Sequence, residues 1–374
     1  MLEARGLTKT FGKTLAVGNL SFTCQEQEFL VIFGPAGAGK STTLRLIAGI
    51  STPNRGEVYF KGEDITEVSP EGRNMSMVFE NYALYSHLTV FENLAFPLRA
   101  RKLPNVEVKE RVGKMADVMG LSDMLDRRPG YLSGGQRQRV ALGRGLIREA
   151  NVYLLDEPIS HLDARLRIAM RAELKAICTE KKATVIHVTH DYREAMALAD
   201  HVIVLNKGKL MQHDTPENVF HRPVNEFVAS FVGDPPMSFL DMEFVQNGEN
   251  GFYIPRQEIF LPVSDAYAVA IKKKASDSVI RLGVRATETS LSSVSDTAHR
   301  VPGEVYVVES QGHRNLVTVK VDNNLIQVAI PPDMDWRVKD TAWLDLGEHN
   351  MHVFVNGDAI HHPNAEIPEL AIAG

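Results

Sequence analysis

The run Gly34-Pro35-Ala36-Gly37-Ala38-Gly39-Lys40-Ser41 constrains this chain more than any other stretch. It fits G-x-x-x-x-G-K-[ST]. Before it stands the apolar run Phe29-Leu30-Val31-Ile32-Phe33, which predicts a buried strand, and after it a helical pattern from Ser41 to Gly49. Glycines at these positions let the backbone wind tightly, so that successive N–H groups point inward at phosphate oxygens. The helix N-terminus adds partial positive charge. Lys40 is placed to reach the β- and γ-phosphates, and the Ser41 hydroxyl to ligate Mg²⁺, with Thr42 next to it on the first turn. A chain that carries this run is therefore expected to be α/β, with nucleotide phosphates at the end of a parallel sheet.

A second buried strand, Val152-Tyr153-Leu154-Leu155, ends in Asp156-Glu157. Two carboxylates at the end of an apolar strand are costly unless they meet a cation or polar partners. Asp156 suits the Mg²⁺ shell, and Glu157 suits general-base work on an attacking water. Thr184 to Val188 predicts a third strand. The stretch from 82 to 148 is helical and more charged, which reads as an inserted subdomain.

Within that stretch lies Leu132-Ser133-Gly134-Gly135-Gln136. Ser133-x-x-Gln136 is a capping box, so Ser133 starts a helix whose first N–H groups are unpaired. Gly134 and Gly135 leave that end bare to an anion.

Together these residues resemble the ABC ATPase family, and more narrowly the ATP-binding subunits of carbohydrate-type importers. Met77 to Tyr85 resembles the segment called the Q-loop, Ser160-His161-Leu162-Asp163 the D-loop, and Val188-Thr189-His190-Asp191 the switch histidine. Phe11 matches the aromatic that stacks on adenine. The resemblance implies ATP and Mg²⁺ as ligands and a sandwich of two ATPase subunits. Each ATP would lie between one phosphate loop and the other subunit's Ser133–Gln136 helix end, with Asp163 nearby and His190 at the γ-phosphate. It also implies two transmembrane permease subunits and, indirectly, a solute-binding protein.

One position departs from the family. Glu80 stands where Gln is usual, bringing a full negative charge and no donor. Either Glu80 serves as a Mg²⁺ ligand with altered coupling, or the subunit pairs with a different ATPase and one of two sites is weakened. His161 in the D-loop leans toward the second. The corresponding alternative function is a weakly hydrolytic or regulatory ATPase-like partner in a heteromeric ATPase dimer.

Composition adds exclusions. The formal net charge of -6 over 374 residues argues against nucleic acid as a partner. The sequence has no apolar run long enough to span a bilayer and no secretory start, so the chain is expected at the cytoplasmic face of the plasma (inner) membrane, held there by other subunits. Cys24 and Cys178 read as buried thiols. Beyond Gly233-Asp234-Pro235-Pro236, short alternating strands predict a small all-β, OB-like barrel domain over 236–374, following an ATP-binding domain over 1–235. His349, His352, His361 and His362 read as solvated loop histidines rather than a metal site, and the tail after His361 as loose.

Overall fold

The computed structural model describes residues 1–160, 162–246, 250–254, 258–274, 280–295, 299–347 and 351–361. His161, His349, His362 and the tail beyond His361 lie outside these residues. The chain divides into two compact units, Met1–Pro216 and Glu217–Gly374.

The first unit is built on a six-stranded sheet in the order Lys209–Asp214, His201–Asn206, Phe29–Phe33, Val185–Thr189, Val152–Asp156, Met75–Val78. All neighbours run parallel except the edge pair of Lys209–Asp214 with His201–Asn206. Phe29–Phe33, Val152–Asp156 and Val185–Thr189 are buried along their whole length. Their uninterrupted apolar sequence follows from being covered on both faces. A four-stranded antiparallel sheet, in the order Thr14–Cys24, Leu2–Phe11, Arg55–Phe60, Glu63–Asp64, lies in the same unit. Leu2, Leu7 and Leu20 of that sheet share a core with Leu30, Ile32 and Leu44. The helix Lys40–Ile47 is thus packed between the sheets, which fixes the phosphate loop that leads into it. Helices Val90–Ala100, Asn105–Val118 and Gly134–Leu146 occupy the stretch between Met75–Val78 and Val152–Asp156. Both cysteines are free and buried, and burial pushes the Cys178 thiol up to about 12, so neither is a reactive thiolate.

The second unit contains two antiparallel sheets. One has the order Ile259–Pro262, Asn250–Ile254, Ser238–Gln246, Ile280–Val284, Met351–Val355, Asp358–Ile360; the other Leu291–Ser292, Thr341–Asp345, Arg300–Ser310, Asn315–Val321, Asn324–Ile330. Leu240, Leu282 and Val353 from the first meet Val305, Val317 and Val328 from the second in one core. The hairpin read from Asp322-Asn323-Asn324 closes with Val321 opposite Asn324, and Asp322 takes a positive φ of 50°. The helix Asp265–Lys274, ending in Lys272, Lys273 and Lys274, is an element the sequence reading missed.

The division between the compact units follows Pro216, while the sequence expectation places a boundary near residue 235. The composition changes at Gly233–Pro236, but the contacts change sooner. Residues 217–235 are tied into the second unit by Arg285, which donates to the carbonyls of Val232 at 2.7 Å and of Phe220. The Arg285 guanidinium also sits 4.0 Å over the Phe220 ring. Arg281 binds Glu226 at 2.8 Å, and the backbone of Glu226 bonds to Gly357. Because Arg285 is only 2% exposed, Arg285→Met is expected to cost the second unit about 2–4 kcal/mol. Urea unfolding, with limited proteolysis at residues 217–235, measures it.

His352 is not a solvated loop histidine. It lies in the strand Met351–Val355, 3.2 Å from Glu288 Oε2, with His221 on the other oxygen at 3.1 Å. Among the described residues no group of His, Cys, Asp and Glu is arranged to hold a metal, and no helix is long and apolar enough to cross a membrane.

Candidate active site

The phosphate loop takes its shape from glycines that nothing larger could replace. Gly37 and Gly39 have φ of 77° and 101°. A Cβ on Gly34 would stand 2.4 Å from the Leu205 carbonyl oxygen, and one on Gly39 2.3 Å from that of Ala16. Ala36 and Gly37 form the exposed turn, closed by Ala38 N donating to Pro35 O at 3.1 Å, and Ala38 is buried. No side chain caps the helix that begins at Lys40, so its first N–H groups are open to an anion. Lys40 folds over the loop and donates to the carbonyls of Gly34 at 2.9 Å and Pro35 at 3.1 Å. Its ammonium is 3.8 Å from Glu157 Oε1. Burial pulls the Lys40 pKa below its ordinary value, while Glu157, Asp156 and Glu80 act to keep it charged. Thr42 is half-exposed on the first turn.

The parallel register brings the ends of three strands to this loop. Ser41 Oγ donates to Asp156 Oδ1 at 2.8 Å. Burial raises the Asp156 pKa, the Ser41 hydrogen bond opposes that, and the charges of Glu80 and Glu157 add to it. A buried carboxylate and a hydroxyl with this imbalance make a good pair of oxygen ligands for a hard divalent cation. Glu80 follows the strand Met75–Val78, is exposed, and is near enough for its charge to be felt at both Lys40 and Asp156.

Glu157 adopts φ 48°, a left-handed conformation unusual for a side-chain-bearing residue. Its N–H donates to Val188 O at 3.0 Å, and its carbonyl accepts from Ser160 Oγ at 3.1 Å and Gln138 Nε2 at 3.3 Å. These bonds hold the turn that points the carboxylate beside the phosphate loop. His190 Nδ1 lies 2.9 Å from Glu157 Oε2. With the carboxylate ionised it can only accept, so Nδ1 carries the proton.

The capping box forms as read: Ser133 N donates to Gln136 Oε1 at 2.8 Å, and Gln136 N to Ser133 Oγ at 3.2 Å. Among the described residues no hydrogen bond joins Ser133, Gly134, Gly135 or Gln136 to the phosphate loop of the same chain. Asp163 is likewise apart; it caps the helix Ala164–Glu180 by accepting from Leu166 N at 2.9 Å. Phe11 ends the strand Leu2–Phe11 with its ring 54% exposed and Lys9 Nζ 5.4 Å from the centroid.

Three residues of this neighbourhood escaped the sequence reading. Gln138 supports Glu157. Arg167 joins Asp191 at 3.2 Å. Arg144 donates to the carbonyls of Tyr82 and Ala83, at 3.0 and 2.8 Å, where both residues have positive φ. Each reaches a partner far away in sequence, so no local pattern announced it.

A parallel sheet with a phosphate loop, an oxygen pair for a cation and a positioned carboxylate defines a nucleoside-triphosphate-binding cassette. The family model for the ABC transporter matches residues 17–160. The trehalose/maltose import ATP-binding protein MalK of Thermococcus litoralis is 42% identical over 325 residues, 84% of this chain and 86% of the relative. The sn-glycerol-3-phosphate import ATP-binding protein UgpC of Salmonella typhi is 39% identical over 354 residues, 94% of this chain and 97% of the relative. The dimeric structure of the ATP-binding cassette MJ0796, in a post-hydrolysis state bound to ADP and Pi, covers 58% of this chain and 99% of its own, with a TM-score of 0.54 and 29% identity. The chain belongs to the ABC transporter family, among its ATP-binding subunits. Its activity is the one these subunits share, ATP hydrolysis.

Proposed function

We propose that this subunit binds ATP with Mg²⁺ and hydrolyses it to power uptake of a sugar, polyol or glycerol-phosphate-like solute through separate membrane subunits. The observation that carries this reading is the Glu157 carboxylate, held between His190 and Lys40 beside the Ser41–Asp156 pair.

In this reading the open N–H groups at the start of the helix Lys40–Ile47 and the Lys40 ammonium take the phosphate oxygens. Ser41 and Asp156, with Glu80 nearby, would hold the Mg²⁺, which when bound neutralises charge on the phosphate oxygens. Glu157 accepts the proton of the attacking water, and His190 keeps that carboxylate oriented and reaches the γ-phosphate. Phe11 stacks on the adenine, its ring being exposed at the strand end and free to offer a face to a base. Ser133 to Gln136 and Asp163, whose hydrogen bonds among the described residues are the caps of their own helices, serve a second ATPase subunit, as the dimeric state of the MJ0796 cassette supports. The import direction and solute class rest on MalK and UgpC, whose names describe import. The subunit would sit at the cytoplasmic face of the membrane on two permeases fed by a solute-binding protein.

A pull-down of the tagged subunit from gently solubilised native membranes, read by mass spectrometry, tests this. Two permeases and a solute-binding protein are the expected partners; ribosomes or DNA without a permease would sink the transport reading. Recovery of a second, different ATPase would favour the heteromeric dimer, which the added negative charge of Glu80 at Asp156 makes worth testing.

Glu80→Gln separates its two roles. Removing one charge near the phosphates is expected to tighten ATP binding in EDTA by about 3–10-fold and to weaken the apparent affinity for Mg²⁺ by a similar factor. Titration of a fluorescent ATP analogue with and without Mg²⁺ reads both. If neither changes, Glu80 takes no part in the site.

A further inference from the structure

We infer that Arg167 is a positioning residue for hydrolysis, closing a ring of hydrogen bonds that holds His190 against Glu157. The inference rests on the ATPase reading of the site and adds to it a residue outside the recognised motifs.

His190 is poorly placed to hold itself. Its side chain is 57% exposed, so water competes for the bond to Glu157. Its neighbours are well fixed on one side. Asp191 Oδ1 caps the helix Tyr192–Leu198 by accepting from Arg193 N at 2.7 Å and Glu194 N at 3.3 Å. Asp191 N donates to Thr189 Oγ1 at 2.9 Å. Glu194 then pins the helix to its strand through His187 Nε2 at 3.2 Å, both side chains being buried. These contacts fix the turn to its own strand and helix. They do not fix it to the loop that follows Glu157.

Arg167 does. One turn into the helix Ala164–Glu180, it sends Nη1 to Asp191 Oδ2 at 3.2 Å. Its Nη2 reaches back to the carbonyls of Ser160 at 3.1 Å and Leu162 at 3.0 Å. Ser160 Oγ in turn donates to the Glu157 carbonyl at 3.1 Å. Glu157, His190, Asp191, Arg167 and Ser160 thus form a closed circuit, and the Glu157–His190 contact is one of its links. The planar fork of arginine makes both branches at once, which a lysine ammonium on a flexible stem does poorly. The Arg167–Asp191 pair is partly exposed, at 31% and 22%, so it contributes little to stability. A small displacement at a reacting centre, by contrast, is felt strongly in rate.

The test measures ATPase turnover, ATP affinity and Tm for the full chain carrying Arg167→Met, Arg167→Lys or His190→Ala, and for Arg167→Met combined with His190→Ala. Arg167→Met is expected to lower kcat by roughly tenfold or more, with ATP Kd within about threefold and Tm within about 3 °C of wild type. Arg167→Lys should recover only part of the rate. With His190 already removed, Arg167→Met should cost less than about threefold more, because the group it positions is gone. Asp191→Asn, which keeps the helix cap and loses the ion pair, supplies the same reading should Arg167→Met fold poorly. An unchanged kcat, or an equal loss with and without His190, would overturn the inference alone. A wild-type rate in His190→Ala would overturn the role of His190 itself, and the inference with it.

Discussion

Glu157→Gln is expected to slow ATP hydrolysis by about 10²–10⁴-fold, the range a positioned general base supplies. ATP binding should stay within a few-fold of wild type. The substitution keeps shape: glutamine fills the same volume, and its oxygen still accepts the proton of His190 Nδ1, now 2.9 Å from Glu157 Oε2. The left-handed turn at φ 48° is held by backbone bonds to Val188, Ser160 and Gln138, which glutamine does not disturb. What is lost is basicity at one atom. The phosphate loop itself is untouched, and removing a negative charge 3.8 Å from Lys40 does not weaken its attraction for phosphate. Single-turnover hydrolysis, with an equilibrium titration of ATP alongside, separates the two effects. A turnover within threefold of wild type would mean that the proton goes elsewhere, and the assignment of Glu157 as base would fall. A parallel loss of binding and turnover would mean that glutamine has disturbed the loop rather than the chemistry.

The residues legible in the sequence are those whose chemistry is local. Gly34 to Ser41 can be read because the backbone must wind within that stretch, and the forbidden Cβ positions at Gly34 and Gly39 show why the glycines are needed. Ser133 and Gln136 can be read because a capping box spans a single helical turn. Asp156 and Glu157 stand out because an apolar strand rarely ends in two carboxylates without a partner, and the parallel register delivers that partner in Ser41. Gln138 and Arg144 stay hidden because their acceptors are main-chain carbonyls, and every residue has one; Arg167 stays hidden because its Asp191 carboxylate lies 24 residues away. The early boundary at Pro216 is hidden for a related reason: Arg285 binds carbonyls of Phe220 and Val232, more than fifty residues away along the chain. The helix Asp265–Lys274 buries Tyr267, Ala268 and Ile271 at helical spacing, but so short a run among strands is easily passed over.

Lys40→Met carries the largest expected effect on binding. The Lys40 side chain is only 6% exposed, and burial alone disfavours its charge. It remains useful as a cation because Glu157, Asp156 and Glu80 surround it. Taking the ammonium away therefore acts twice. It deletes a charged hydrogen bond to phosphate, worth about 1.5–3 kcal/mol, or roughly 10–150-fold in affinity. It also leaves those carboxylates uncompensated, so an incoming triphosphate meets a more negative site. The combined loss is expected to be about a hundredfold or more. Thermal shift makes it visible without turnover: at an ATP concentration of about 100 Kd the wild type gains about 2.7 kcal/mol, whereas a site a hundredfold weaker gains about 0.4 kcal/mol. Without nucleotide the variant loses the bonds to Gly34 and Pro35 and the ion pair with Glu157 while methionine fills much of the same space, so the ATP-induced rise is read against each protein's own nucleotide-free Tm. An ATP-induced Tm rise equal to that of wild type would show that the loop N–H groups bind phosphate unaided, and that Lys40 serves the loop's own carbonyls instead.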